Sequence, residues 1–161
     1  MMNMRNTIIF IRKTYSTTDI ASAFAIAQKL PEYFDPQGLK EIERDTKIHT
    51  LYGAFLGNEM VGFVTYNEIN HETIEMTWLA ISPDKQGNGI GEKLVTESLA
   101  DLPPKYTACE VKTLAETDLY EPYKNTRAFY LRIGFVTKEI IDPYPAWGNN
   151  PCQVFRKTIG K

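Results

Sequence analysis

The chain is poor in the residues that build metal and redox centres. It has two cysteines and two histidines in 161 residues. Cys109 and Cys152 stand far apart with no CxxC pair, and His49 and His71 complete no ligand cluster. This pattern predicts reduced thiols and no structural metal. Charge of one sign is also scarce, with 18 basic and 20 acidic residues and a formal net charge of −2. No global basic field favours nucleic acid or an anionic lipid surface. Long hydrophobic runs are missing too. The N-terminal MMNMRNTIIFIRKTY has one apolar run, Ile8 to Ile11, stopped at once by Arg12 and Lys13. That is too short for a signal h-region or a membrane span. The expectation is a soluble, cytoplasmic protein with no nucleic-acid or membrane partner. No internal repeat or low-complexity tract is present, and a 43% hydrophobic content over this length suits one domain with a full core.

Local signals order the rest of the chain. Residues Ile8–Thr14 read as a strand. STTDIASAFAIAQKL follows as a helix, with Ser16 and Asp19 as a capping box and Ile20, Phe24 and Ala27 at helical spacing. Asp35 caps a second helix with Pro36 in its first position and Leu39, Ile42 and Thr46 facing inward. LYGAFLGNEMVGFVTYNEI and HETIEMTWLAIS supply three β-rich runs, turned at Gly57-Asn58 and at Asn70-His71. GEKLVTESLA reads as a helix with Leu94, Val95 and Leu99 on one face, stopped by Pro103-Pro104. TACEVKTL is a strand. NTRAFYLRIGF is a helix capped by Asn125 or Thr126 and ended by Gly134. FVTKEIID and CQVFRKTI are the last strands, joined by PYPAWGNNP. The order β-α-α-β-β-β-α-β-α-β-β predicts a mixed α/β fold, with helices on both faces of the sheet.

Between the third β-rich run and the helix after it lies ISPDKQGNGIGEKL, with glycines at the alternate positions 87, 89 and 91. A strand, a glycine-rich turn and a helix N-terminus make an anion site, because free N–H groups point outward and the helix dipole adds positive charge. Two nucleotide loops fail in register. A Walker loop ends in GKS or GKT, whereas Gly91 is followed by Glu92, Lys93 and Leu94. In the dinucleotide pattern G-x-G-x-x-G the third glycine falls on Glu92 or on Leu94.

The segment QGNGIG, Gln86 to Gly91, resembles the pyrophosphate loop Q/R-x-x-G-x-G/A of the GNAT N-acetyltransferase family, and NTRAFYLRIGF resembles that family's later helix. Asn125 sits closer to Tyr130 than in the commonest version of that helix. The element order is also that of the family, from the first strand to the last. The resemblance implies a single GNAT domain over residues 1–161, with a three-layer fold. Its twisted, largely antiparallel mixed sheet of about seven strands is flanked by helices on both faces.

It implies acetyl-CoA as cosubstrate and no metal, with cofactor contacts at Leu79, Ala80, Ile81, Gln86, Gly87, Asn88, Gly89, Ile90, Gly91, Asn125 and Tyr130. The pantetheine arm would pair like an extra strand with Leu79–Ile81, satisfying backbone groups that a splayed sheet leaves open. The implied reaction is direct attack of a primary amine on the thioester in a ternary complex. An alkylammonium, with a pKa of roughly 10.4, must first lose a proton, and a thiolate leaving group benefits from a donor. Tyr130 matches the family's acid. Glu75 lies where the family's histone acetyltransferases hold their glutamate base; Glu68, Glu72 or a water chain are the alternatives.

Neither cysteine reads as an acyl carrier. His71 reads as solvated and His49 as having no partner. Tyr33, Phe34, Asp35, Tyr144 and Trp147 fall where the family builds its acceptor pocket, and aromatic faces with carboxylates suit a cationic amine. Homodimers are common in the family. The rival readings are a non-catalytic acyl-CoA-binding regulatory module and a purely structural interaction domain.

Overall fold

The computed structural model describes residues 8–160. The N-terminal stretch before Ile8, read above as part of a segment without a signal h-region, lies outside the described residues. Seven strands and four longer helices follow in order: β1 (Ile9–Lys13), α1 (Thr17–Gln28), α2 (Pro36–Ile48), β2 (Thr50–Leu56), β3 (Glu59–Glu68), β4 (Thr73–Ile81), α3 (Ile90–Asp101), β5 (Ala108–Leu114), α4 (Pro122–Arg132), β6 (Val136–Ile141) and β7 (Cys152–Thr158). The sheet order is β1-β2-β3-β4-β5-β7-β6. β4 and β5 run parallel, whereas β1/β2, β2/β3, β5/β7 and β6/β7 are antiparallel. The mixed seven-stranded sheet flanked by helices is therefore the expected one. No described helix is long and apolar enough to cross a membrane.

Residues pack into two compact units, 8–67 with Thr77–Leu102, and Glu68–Met76 with 103–160. In the first, adjacent residues of β2 point to opposite faces of the sheet. Leu51 and Phe55 join Phe63 and Ala80 against Ala23, Ile26 and Ala27 of α1 and Ile42 of α2. Tyr52 turns the other way and donates to Asp101 of α3 at 2.7 Å. Tyr66 shares a 2.6 Å hydrogen bond with Ser98 of α3. The inner face of α3 is accordingly Ile90, Leu94, Val95 and Ser98, with Leu99 only half-buried. A serine can take the inner position because a buried tyrosine hydroxyl meets it there.

The helix starts follow their caps with two corrections. Ser16 accepts from Asp19 N at 3.0 Å, but the Asp19 carboxylate does not close a box on Ser16. It takes hydrogen bonds from Thr14 Oγ1 at 2.5 Å and from Arg12 at 3.0 Å instead. Asp35 caps α2 by accepting from Gly38 N at 2.7 Å, with Pro36 at the first position. Neither Asn125 nor Thr126 caps α4. That helix begins at Pro122 after Glu121, with no side-chain cap. A proline fixes φ for the first helical residue, so it starts the helix just over a turn earlier than an Asn or Thr cap would.

In the second unit α4 lays Tyr130 against Phe135 and Phe155, with ring centroids 5.6 and 5.8 Å away. Lys157 ties the end of this helix to β7 by donating to the Ile133 carbonyl at 2.7 Å. Glu110 of β5 accepts from Arg156 at 2.6 Å and from Lys138 at 3.0 Å.

Candidate active site

The first unit presents the loop predicted to hold an anion. β4 ends at Ile81, a 3-10 turn covers Pro83–Lys85, and α3 starts at Ile90. Gly62 on β3 gives Ile81 its room: a Cβ there would lie 2.6 Å from Ile81 Cδ1 and 3.1 Å from the Ala80 carbonyl. Ser82 N donates to the Val61 carbonyl at 2.8 Å and pins the strand end.

The polar side chains of the loop then fold back onto its own carbonyls. Gln86 Nε2 donates to Ile81 O at 3.1 Å, and Asn88 Nδ2 donates to Lys85 O and Gln86 O at 3.1 and 3.3 Å. Gly87 and Gly89 take left-handed φ of 81° and 77°, with nothing within 4 Å of an added Cβ. Gly89 is the N-cap of α3 and offers no side-chain oxygen. The first-turn amides of a well-formed helix are thus left uncapped behind an open, glycine-walled turn, which is what an incoming anion requires.

β4 adds a second feature. Its pairing with β5 runs only from Thr73↔Ala108 to Met76↔Val111, yet β4 continues to Ile81. Over Thr77–Ile81 this edge pairs with no strand among the described residues. Leu79, Ala80 and Ile81 therefore keep backbone groups on an open edge, while the side chain of Gln86 occupies the Ile81 carbonyl.

Tyr130, in the second unit, is 4% exposed. Burial pushes its hydroxyl above the usual phenol range, and Cys109 and Tyr123 reinforce the shift, so it stays protonated and able to donate. Among the described residues no hydrogen-bond partner is recorded for that hydroxyl, and no fully enclosed side-chain oxygen lacks a partner. Asn125 is exposed on the outer side of the same helix.

Glu75 is partly buried and joined through Oε2 to Lys112 Nζ at 3.2 Å. Burial works to lower the Lys112 ammonium, but the charge and hydrogen bond of Glu75 outweigh it and hold it raised. Glu68 is engaged otherwise: its Oε1 accepts from Lys105 at 2.9 Å and Tyr106 at 2.6 Å, and both hold its carboxyl below the ordinary range. Glu72 is exposed, and its backbone carbonyl accepts from Thr107 and Ala108.

Both cysteines are fully buried. Burial pushes the Cys109 thiol up to about 12 and the Cys152 thiol up to about 11, so neither supplies a thiolate. Among the described residues no cluster of His, Cys, Asp and Glu could hold a metal.

Of the expected acceptor residues, Phe34 belongs to the core and Asp35 is spent as the α2 cap. Tyr144 and Trp147 pack edge to face at 5.1 Å in their loop. His71 is exposed, as expected. His49 departs from expectation: it has partners, Thr77 at 3.0 Å and Asp45 at 3.8 Å. No local pattern reveals the Thr77 contact, because the two residues are 28 positions apart.

Two buried carboxylates contribute to the acid limit of stability. Burial would raise Asp45, but hydrogen bonds from Arg44 and Trp78 and the charges of His49 and Arg44 hold it below the ordinary range. Burial would likewise raise Glu110, and Lys138 and Arg156 hold it low. A depressed folded-state pKa contributes stability above the unfolded value, roughly 3.9 to 4.3, and that contribution is lost as pH falls through the folded value. The urea midpoint should therefore drop below about pH 4. Glu110→Gln should cost about 1–3 kcal/mol at neutral pH and flatten that drop. An acid slope identical to wild type would remove Glu110 from this account.

A strand, an open glycine turn and an uncapped helix beside an open strand edge make an α/β protein with a turn able to receive an anion. The family model of the acetyltransferase (GNAT) domain matches residues 47–137, and the chain belongs to this family of acetyltransferases. Solved structures share the fold. A GNAT-family acetyltransferase from Desulfovibrio desulfuricans is 18% identical with a TM-score of 0.80, covering 94% of this chain and 99% of that one. A GNAT acetyltransferase from Elizabethkingia anophelis with acetyl-CoA bound is 18% identical with a TM-score of 0.74, covering 94% and 98%. The ribosomal-protein-S18-alanine N-acetyltransferase of Escherichia coli is 18% identical with a TM-score of 0.74, covering 96% of each chain. No curated protein matches the chain by sequence.

Proposed function

We propose that this acetyltransferase moves an acetyl group from acetyl-CoA to a primary amine of a small molecule or peptide by direct attack in a ternary complex. The observation that carries the reading is the uncapped first turn of α3 behind Gly87 and Gly89, continuous with the open edge of β4. The residues fit the cosubstrate. Amides from Gln86 to Gly91 would hold its pyrophosphate, and the backbone of Leu79–Ile81 would pair with its amide-bearing arm. Bound acetyl-CoA supplies an activated thioester carbonyl.

The chain's own groups supply the rest. A free backbone N–H near Leu79 steadies negative charge on the carbonyl oxygen. The Tyr130 hydroxyl protonates the departing sulfur. Glu75, with one oxygen fixed by Lys112, draws the acceptor's positive charge and takes a proton through the other. The buried, protonated thiols support direct attack over a cysteine-borne acyl group.

Thiol release measured over a panel of amines tests the reading. Turnover on at least one amine is expected, with the KM for that amine raised in Glu75→Gln as the carboxylate's attraction for the ammonium is lost. Saturable CoA binding without release on any amine would favour the binding module. No rise in melting temperature with CoA would sink both.

A further inference from the structure

His49 ends α2, and its side chain is 11% exposed. Its Nδ1 lies 3.0 Å from Thr77 Oγ1 on β4. Thr77 Oγ1 in turn lies 2.6 Å from Thr65 Oγ1 and 3.2 Å from the Thr65 carbonyl oxygen. On the other side of the ring, Nε2 is 3.8 Å from Asp45 Oδ1. Asp45 is held by Trp78 Nε1 and Arg44 Nε, each at 2.9 Å. A carboxylate, an imidazole and a hydroxyl thus line up from α2 to β4, all within the first unit. Thr77 opens the stretch of β4 that lacks a pairing strand beyond it. It precedes Leu79 by two residues, roughly 7 Å along a strand.

A pair of threonine hydroxyls satisfies itself without an imidazole. The ring adds a nitrogen base in line with the Thr77 hydroxyl. Asp45 is the charged group facing the ring among the described residues, with the Arg44 guanidinium behind it. The neighbours from β3 and β4 are Thr65, Thr77 and Trp78, none of them charged.

We propose that His49, acting through the Thr77 hydroxyl, provides a second route for the proton that the acceptor amine loses. This rests on the amine-acetylation reading above. The relay uses the tautomer with the N–H on Nε2, toward Asp45, and the Nδ1 lone pair toward Thr77. As the amine nitrogen bonds the acetyl carbon, its proton passes to Thr77 Oγ1 while the Thr77 hydroxyl proton passes to Nδ1. The carbon–sulfur bond breaks with its electron pair on sulfur, which takes the Tyr130 proton. Afterwards the imidazolium gives its proton to water and the Tyr130 phenolate regains one, so every group returns to its starting state.

The test is the pH dependence of kcat/KM for an accepted amine in wild type, His49→Asn, Thr77→Val, Thr77→Ser and Glu75→Gln, with the CoA-induced rise in melting temperature recorded for each. His49→Asn can still hydrogen-bond Thr77 but cannot titrate. It should lose tenfold or more at neutral pH and lose the acidic limb of the profile, with the CoA response kept. Thr77→Val should reproduce the loss and Thr77→Ser should retain activity, whereas Glu75→Gln should keep the limb. An unchanged limb in His49→Asn, or full activity in Thr77→Val, overturns the relay alone. Should His49→Asn not fold, the Thr77→Val and Thr77→Ser pair decides. A wild type that binds CoA yet acetylates no amine overturns the amine-acetylation reading and the relay with it.

Discussion

Tyr130→Phe should lower kcat by about 100-fold to 10,000-fold, the range over which a positioned general acid contributes. The ring is packed by Phe129, Phe135 and Phe155, with centroids 5.5, 5.6 and 5.8 Å away, and phenylalanine keeps that packing. What is lost is one hydroxyl that burial holds in its protonated form. A thiolate leaving group then departs without a proton, while binding is untouched. Steady-state thiol release should show the fall in kcat with a nearly unchanged KM for acetyl-CoA, and the melting temperature should stay close to wild type. Full kcat in the variant would reduce Tyr130 to a core aromatic.

Gly89→Val should weaken CoA binding by about 10-fold to 100-fold, equal to one or two charge-assisted hydrogen bonds from loop amides. The cause is conformational, since an added Cβ meets nothing within 4 Å. At a φ of 77° a β-branched residue is strained, and the loop relieves the strain by turning the amides that precede α3. A comparison of acetyl-CoA with acetyl-pantetheine isolates this effect. The shorter donor has no pyrophosphate, so its KM should not respond to the substitution, whereas that of acetyl-CoA should rise. Equal losses with both donors would mean that the loop does not hold the pyrophosphate.

Features written in neighbouring residues were legible beforehand. Asp35-Pro36 begins α2 as expected, because a cap and a fixed φ are local. The glycine turn and the helix behind it were readable for the same reason: left-handed backbone at positions 87 and 89 depends on those residues alone. The α4 start was missed where two local signals competed, and Pro122 prevailed over Asn125 and Thr126. Leu99 was expected on the inner face of α3 where Ser98 lies, because an inner serine looks wrong until Tyr66 is brought to it from 32 residues away.

By itself the sequence determined the element order, the two loop glycines and the N-caps of α1 and α2, since each follows from backbone preferences acting over a few residues. Only the tertiary structure decided that β4 stops pairing with β5 at Met76, that Lys112 claims one oxygen of Glu75, and that His49 meets Thr77 rather than standing alone. Those three facts depend on which strands and helices lie side by side. That choice is made by burying the whole apolar surface at once, and no short window of residues carries it.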